Sequence, residues 1–215
     1  MKVTITPAPL QGSITPPPSK SQAHRVIIAA ALASGESLLR NLSPSQDITA
    51  TLGAMEALGA RFQWEGSTVR IQGIRPSGAC GPMDCGESGS TLRFLIPIAL
   101  AVAGGGTFRG HGRLMQRPQE PYFAIFREKG IAFSQRDDTL KVRGRLTPGV
   151  YTLPGNVSSQ FITGLLYALP LLEGDSQIHL TTALESSGYV DMTLDALGQF
   201  GVTAVPTASG WHIPG

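Results

Sequence analysis

The sequence predicts an α/β (α+β) fold in which three repeats of about 71 residues pack around one shared core. Two observations carry that prediction. First, the segments GARFQWEGSTVRIQG, GIAFSQRDDTLKVRG and GVTAVPTASGWHIPG begin at Gly59, Gly130 and Gly201, a constant step of 71 residues, and each is bounded by glycine. Apolar residues fall at the same offsets inside them, first Val69, Leu140 and Trp211, then Ile71, Val142 and Ile213, with the period of a strand. Second, the same step relates Leu52, Phe123 and Leu194 upstream, and Met55, Phe126 and Leu197 three residues later. That spacing marks a helix with one buried face.

Taken in chain order, residues 1–18 lie outside the pattern and read as a lead-in strand and linker, followed by the three-repeat domain over residues 19–215. Each unit opens with a longer apolar helix, at Ser21 to Ala33, Ser88 to Ala103 and Ser158 to Leu172. A short β-like stretch follows in each (SLLRNL, GTFRGH, SQIHLTT), then the one-faced helix, then the two strands inside the glycine-bounded segment. One unit of helix, strand, helix, strand, strand has too little core to bury its own apolar faces, so three are expected to share one.

Composition bounds the function. With 215 residues, 41% hydrophobic and 15% charged, the chain can bury a sizeable core, and 26 glycines with 16 prolines suit many short elements. A net charge of +2 gives no footprint for nucleic acid, so any anion site must be local. The longest apolar run, Phe94 to Ala103, is interrupted by Pro97 and is shorter than the ~20 residues that cross a bilayer. MKVTITPAPL has no apolar segment of an export signal, so the cytoplasm is the expected setting. Cys80 and Cys85 lack neighbouring histidines and read as reduced thiols, and no metal site is predicted.

The starts of the long helices carry the polar residues: SKSQAHR from Ser19, ESGSTLR from Glu87 and VSSQF from Val157. Serines there suit N-caps. Capping does not account for Lys20, Arg25 and Arg93 in turns where the helix dipole disfavours cations. Free amides, hydroxyls and cations together make an anion site of the kind that takes phosphate. His24 is a candidate to face that ligand, whereas His111, His179 and His212 read as surface or strand residues. GESGST lacks the lysine of a nucleotide-binding P-loop. The loop GHGRLMQRPQEP adds Arg113 and Arg117, and LESSGYVDMTL brings Ser186, Ser187 and Tyr189 to another helix start.

With SKSQAHR, CGESGSTLR, the Arg117-Pro118 loop, VSSQF and SSGYVDMTL in this order and spacing, the chain resembles the 5-enolpyruvylshikimate-3-phosphate synthase (3-phosphoshikimate 1-carboxyvinyltransferase) family over essentially its whole length. The resemblance implies a transferase of the shikimate pathway to aromatic amino acids. Such an enzyme moves the enolpyruvyl group of phosphoenolpyruvate to the 5-hydroxyl of shikimate 3-phosphate, releases phosphate, and uses no metal or organic cofactor. It further implies an enolpyruvyl transferase-like domain of three βαβαββ units, with the substrates held in a cleft against a second, similar domain. That carboxy-terminal domain lies outside this sequence, so the chain is expected to be one half of the enzyme and inactive alone.

By motif, the resemblance implies that Lys20, Ser21 and Arg25 bind shikimate 3-phosphate, with Lys20 also touching phosphoenolpyruvate. Ser158, Ser159 and Gln160 hold the ring and its phosphate, Ser186 adds a phosphate contact, and Tyr189 packs near the ring. Gly89 and Arg117 bind phosphoenolpyruvate, and Lys20 with Arg117 stand as the catalytic residues of this half. Glu87 occupies a position where the family often has asparagine, which sets a negative charge near the phosphoenolpyruvate side, and Pro18 replaces a common glycine. Two other readings compete. One is the UDP-N-acetylglucosamine enolpyruvyl transferase of the same architecture, which usually carries a cysteine in the loop corresponding to Gly110 to Pro121, where this chain has none. The other is a non-catalytic module that binds a phosphorylated metabolite.

Overall fold

The computed structural model describes residues 2–4, 6–9, 11–75 and 80–215. Three helices form its interior: α1 (Lys20–Leu32), α3 (Gly89–Ala103) and α5 (Ser159–Ala168). Each starts where a serine hydroxyl accepts a backbone N–H of the first turn: Ser19 from Gln22, Ser88 from Thr91 and Ser158 from Gln160. These helices are apolar on more than one side, and the fold buries them accordingly. Ile27, Ile28, Phe94, Leu95, Ile96, Ile162, Leu165 and Leu166 are all at most 1% exposed.

Three further helices, α2 (Gln46–Ala57), α4 (Glu120–Glu128) and α6 (Ser187–Gln199), bury narrower faces through residues such as Met55, Phe126 and Leu197. Helix α3 packs on α5 and α2, α1 packs on α2 and α6, and α5 also packs on α6.

Three sheets wrap this bundle. The first has strands β1 (Glu36–Leu39), β2 (Arg61–Glu65) and β3 (Thr68–Gln72) in the order β1-β3-β2. The second has β4 (Met83–Asp84), β5 (Gly105–Arg109), β6 (Ala132–Arg136) and β7 (Thr139–Arg143) in the order β4-β5-β7-β6. The third has β8 (Gly149–Leu153), β9 (Ser176–Leu180), β10 (Val205–Thr207) and β11 (Gly210–Ile213) in the order β8-β9-β11-β10. Each sheet ends in an antiparallel hairpin whose second strand is central, with Val69, Ile71, Leu140, Val142, Trp211 and Ile213 turned inward. Strands β4 and β8 lie parallel to β5 and β9, while the outer edge of β1 has no such neighbour among the described residues.

Two departures from the sequence reading have local causes. The lead-in strand expected in residues 1–18 falls partly on residues 1, 5 and 10, outside the described residues, and the rest of that segment forms no strand. Pro7, Pro9 and Pro16 to Pro18 offer no amide hydrogen to a ladder. The third long helix stops at Ala168 and tightens into a 3-10 turn at Leu169–Leu171, because Pro170 cannot donate the next helical bond.

Helix α3, by contrast, runs straight through Pro97. The missing amide of Pro97 leaves the Arg93 carbonyl without its helical donor, and the Tyr122 hydroxyl stands 2.8 Å from that oxygen. Gly164 makes the insertion possible: a Cβ there would strike the Tyr122 hydroxyl and lie 2.6 Å from the Arg93 carbonyl oxygen. No described helix is long and apolar enough to cross a membrane.

Candidate functional site

The first turns of α1, α5 and α6 converge on a cleft of about 440 Å³ lined by Lys20, Ser21, Arg25, Ser90, Phe94, Val157, Ser158, Ser159, Gln160, Ser186 and Tyr189. Eight of the ten expected site residues are in that lining, and the other two, Gly89 and Arg117, stand at its margin. Larger hollows of about 650 and 560 Å³ lie elsewhere on the chain, the latter over the solvent side of the second sheet. Size does not select the site here. Helix starts do, because this cleft joins several of them to cations and hydroxyls.

Lys20 is exposed, and its ammonium meets Asp47 of α2 at 2.6 Å. Sequence reasoning missed Asp47, whose place in a first helical turn is ordinary for an acid and gave no signal of a partner 27 residues away. Arg25 is 3% exposed, and much of its fork is held by the protein. Its Nε donates to Thr193 at 2.8 Å, Nη1 to the Ser21 carbonyl at 2.7 Å and Nη2 to the Tyr189 carbonyl at 2.9 Å. The Phe94 and Tyr189 rings lie 5.3 and 5.7 Å from its guanidinium carbon. Burial pulls its pKa below the ordinary arginine value, and no carboxylate is within ion-pair reach among the described residues. A buried, acid-free cation at a cleft wall suits an anionic ligand.

Ser186 caps α6 from the left-handed region, at φ 59°, and its hydroxyl makes no capping bond. Both the strain and the free hydroxyl mark a position shaped for something other than the helix. On the opposite wall, Gln160 accepts from Arg93 Nη1 at 2.8 Å and donates to Ser90 Oγ at 3.0 Å. Arg117 lies over the start of α3, since a Cβ on Gly89 would sit 2.9 Å from its Nη1. The glycine therefore keeps room for that guanidinium.

Three sequence expectations need correction. His24 does not line the cleft: it is 1% exposed, its Nδ1 pairs with Thr51 at 2.7 Å, and burial pulls its pKa down to about 4. Arg93 was expected to reach a phosphate directly, but it stands behind the lining, bound to Gln160 and to the Pro118 carbonyl at 3.0 Å. Glu87 turns away to pack against Gly112, whose added Cβ would be 2.6 Å from its Oε1, so its charge is not in the cleft lining. Arg113 is exposed and caps only a short 3-10 turn.

The comparisons agree with this geometry. The family model for EPSP synthase (3-phosphoshikimate 1-carboxyvinyltransferase) matches residues 5–215. A 3-phosphoshikimate 1-carboxyvinyltransferase of Clostridium perfringens (strain SM101 / Type A) is 48% identical over 206 residues, covering 94% of this chain and 49% of that protein. One from Clostridium acetobutylicum is 50% identical over 207 residues, covering 93% and 48%. Among solved structures, an EPSP synthase from Acinetobacter baumannii superposes with a TM-score of 0.80 at 24% identity, over 95% of this chain and 47% of that one, which speaks to the fold. A second structure of EPSP synthase from that organism gives 0.79 at 25% identity. The chain spans about half the length of the curated relatives it matches. With a family model matched over nearly every residue and a cleft built from the motifs that carry the resemblance, the chain belongs to the EPSP synthase (3-phosphoshikimate 1-carboxyvinyltransferase) family.

Proposed function

We propose that this chain is the amino-terminal half of a 3-phosphoshikimate 1-carboxyvinyltransferase and forms the shikimate 3-phosphate side of its active site. The carrying observation is the convergence of Lys20, Arg25, Gln160 and Ser186 from three helix starts on one cleft. A phosphate dianion there meets free amides, hydroxyls and cations without displacing any carboxylate except Asp47. In this reading Lys20, Ser21 and Arg25 take the phosphorylated substrate, Ser158, Ser159 and Gln160 hold its ring, and Ser186 and Tyr189 close the far side. Gly89 and Arg117 take phosphoenolpyruvate, with Lys20 between the two substrates. Residues 19–215 act as one domain of three like units, a reading supported by three sheets of related strand order.

The reaction asks two things of the protein. The 5-hydroxyl oxygen bonds to C2 of phosphoenolpyruvate while its proton leaves and another proton adds to the methylene carbon. Then the C2–O bond to phosphate breaks and a proton departs from the new methyl group, restoring the double bond and releasing phosphate. Proton transfer needs positioned acids and bases, and accumulating charge needs fixed donors. This chain's cleft is rich in donors, with Asp47 the acid nearest Lys20. The remaining proton-transfer groups are assigned to a carboxy-terminal domain, the expected partner. The unpaired thiols of Cys80 and Cys85 support a reducing, cytoplasmic setting.

The test is reconstitution. The chain alone is expected to give no turnover, co-expression with the carboxy-terminal half of a relative to restore it, and Lys20→Ala to abolish the restored rate. An unchanged rate in Lys20→Ala would refute the assignment. Binding of shikimate 3-phosphate with no turnover in any reconstituted pair would favour the non-catalytic binding module.

A further inference from the structure

Arg93 sits just behind the cleft and touches all three segments that meet on its phosphoenolpyruvate side. It belongs to α3, one turn after Gly89. Its Nη1 donates to Gln160 at the start of α5, and its Nη2 donates to the Pro118 carbonyl in the loop that carries Arg117. Its guanidinium carbon stacks 4.6 Å over the Phe161 ring. Its own carbonyl is held by Tyr122, so backbone and side chain are both fixed. No carboxylate pairs with it among the described residues.

The hydrogen bonds that leave Arg93 have one direction. Arginine only donates, so the Gln160 atom facing it must be the carbonyl oxygen, which turns the amide NH2 toward Ser90. Ser90 Oγ accepts that N–H at 3.0 Å and keeps its own proton to donate. Gln160 and Ser90 both line the cleft. The result is a chain of donors from a half-buried cation to a hydroxyl at the cleft wall, each link polarised by the one before.

We propose that Arg93 is a positioning residue that sets the direction of this relay, and that Ser90 is its terminal donor to an anionic oxygen of the bound substrate. Through Pro118 the same fork also ties the Arg117 loop to α3. Lysine does not replace it, because one ammonium does not hold the Gln160 and Pro118 oxygens in the planar fork geometry of a guanidinium. The ligand in this inference rests on the substrate reading above; the direction of the relay does not.

Two measurements on the chain test it. In the ligand-free protein, 15N relaxation of the Gln160 side-chain amide is expected to show a rigid group in the wild type and a mobile one in both Arg93→Lys and Arg93→Met. A Gln160 amide that stays equally rigid in Arg93→Met overturns the inference, as does full rigidity in Arg93→Lys, and neither outcome depends on any substrate. Calorimetry with shikimate 3-phosphate and with phosphoenolpyruvate, added in turn, then reads the consequence. For the ligand that meets Ser90, Arg93→Met and Ser90→Ala are each expected to weaken binding about tenfold, the worth of one hydrogen bond to a charged group. The double variant is expected to be no weaker than the worse single one, because both changes break one chain. Additive losses overturn the relay. Absence of binding by the wild type overturns the substrate reading instead, and leaves the relaxation result to decide on Arg93.

Discussion

Replacing Tyr122 by phenylalanine isolates one atom. The hydroxyl is fully buried between α3 and α5, 2.8 Å from the Arg93 carbonyl that Pro97 leaves without a helical donor, and 3.0 Å from the Phe161 carbonyl. Removing it keeps the ring and its edge-on contact with Phe161 at 4.9 Å, but strands a buried carbonyl. Such an orphan costs about 1–3 kcal/mol. For a chain of this size each kcal/mol moves the melting point by about 2–4 °C, so 2 kcal/mol corresponds to a drop of about 4–8 °C. Calorimetric melting of Tyr122→Phe in the native and in the Pro97→Ala background is the decisive assay. Alanine at 97 restores the amide that the Arg93 carbonyl lacks, so the penalty of Tyr122→Phe is expected to fall by half or more there. An equal penalty in both backgrounds would refute the account of why α3 tolerates a proline.

Other expectations follow from the same geometry. Gly164→Ala drives a methyl into the Tyr122 hydroxyl and is expected to destabilise by about 1–3 kcal/mol in urea unfolding, and to lose part of that penalty when combined with Tyr122→Phe. His24 protonates near 6.5 when unfolded but at about 4 in the buried site, so the unfolded chain binds more protons between those values. Stability is therefore complete above pH 6.5 and is lost as pH falls toward 4, by about 3 kcal/mol from this group. His24→Asn should flatten that part of the pH profile, and an unaltered slope would count against the buried neutral imidazole. Asp47→Asn releases the Lys20 ammonium from an exposed pair, so stability should change by less than about 1 kcal/mol while calorimetry shows tighter binding of shikimate 3-phosphate.

The core was legible because it is periodic. Val69, Leu140 and Trp211 sit one repeat apart in sequence and occupy the same inward place on three central strands. The edge strands were harder: β8 alternates as Val150 out, Tyr151 in, Thr152 out and Leu153 in, a usable signal that is only five residues long, and β4 has two residues, too few for any pattern. At the cleft, local cues located every helix start, yet they did not separate residues that face the ligand space from those that support it. His24 and Arg93 lie in helix-start motifs just as Lys20 and Gln160 do, and only packing takes them out of the cleft lining. Asp47, Ser90 and Tyr122 act through partners 27, 70 and 29 residues away, a kind of information that no window along the chain contains.

Among the described residues, the outer flank of β1 carries no neighbouring strand. Its amides and carbonyls form an unfinished ladder, with the half-exposed Leu38 beside a groove walled by Ala23, Val26 and Leu42. A rim of this kind is adhesive toward any extended peptide that comes near, including the same rim on a neighbouring molecule. Apparent mass should accordingly climb with protein concentration, and a charge placed at Leu38 should hold the species apart.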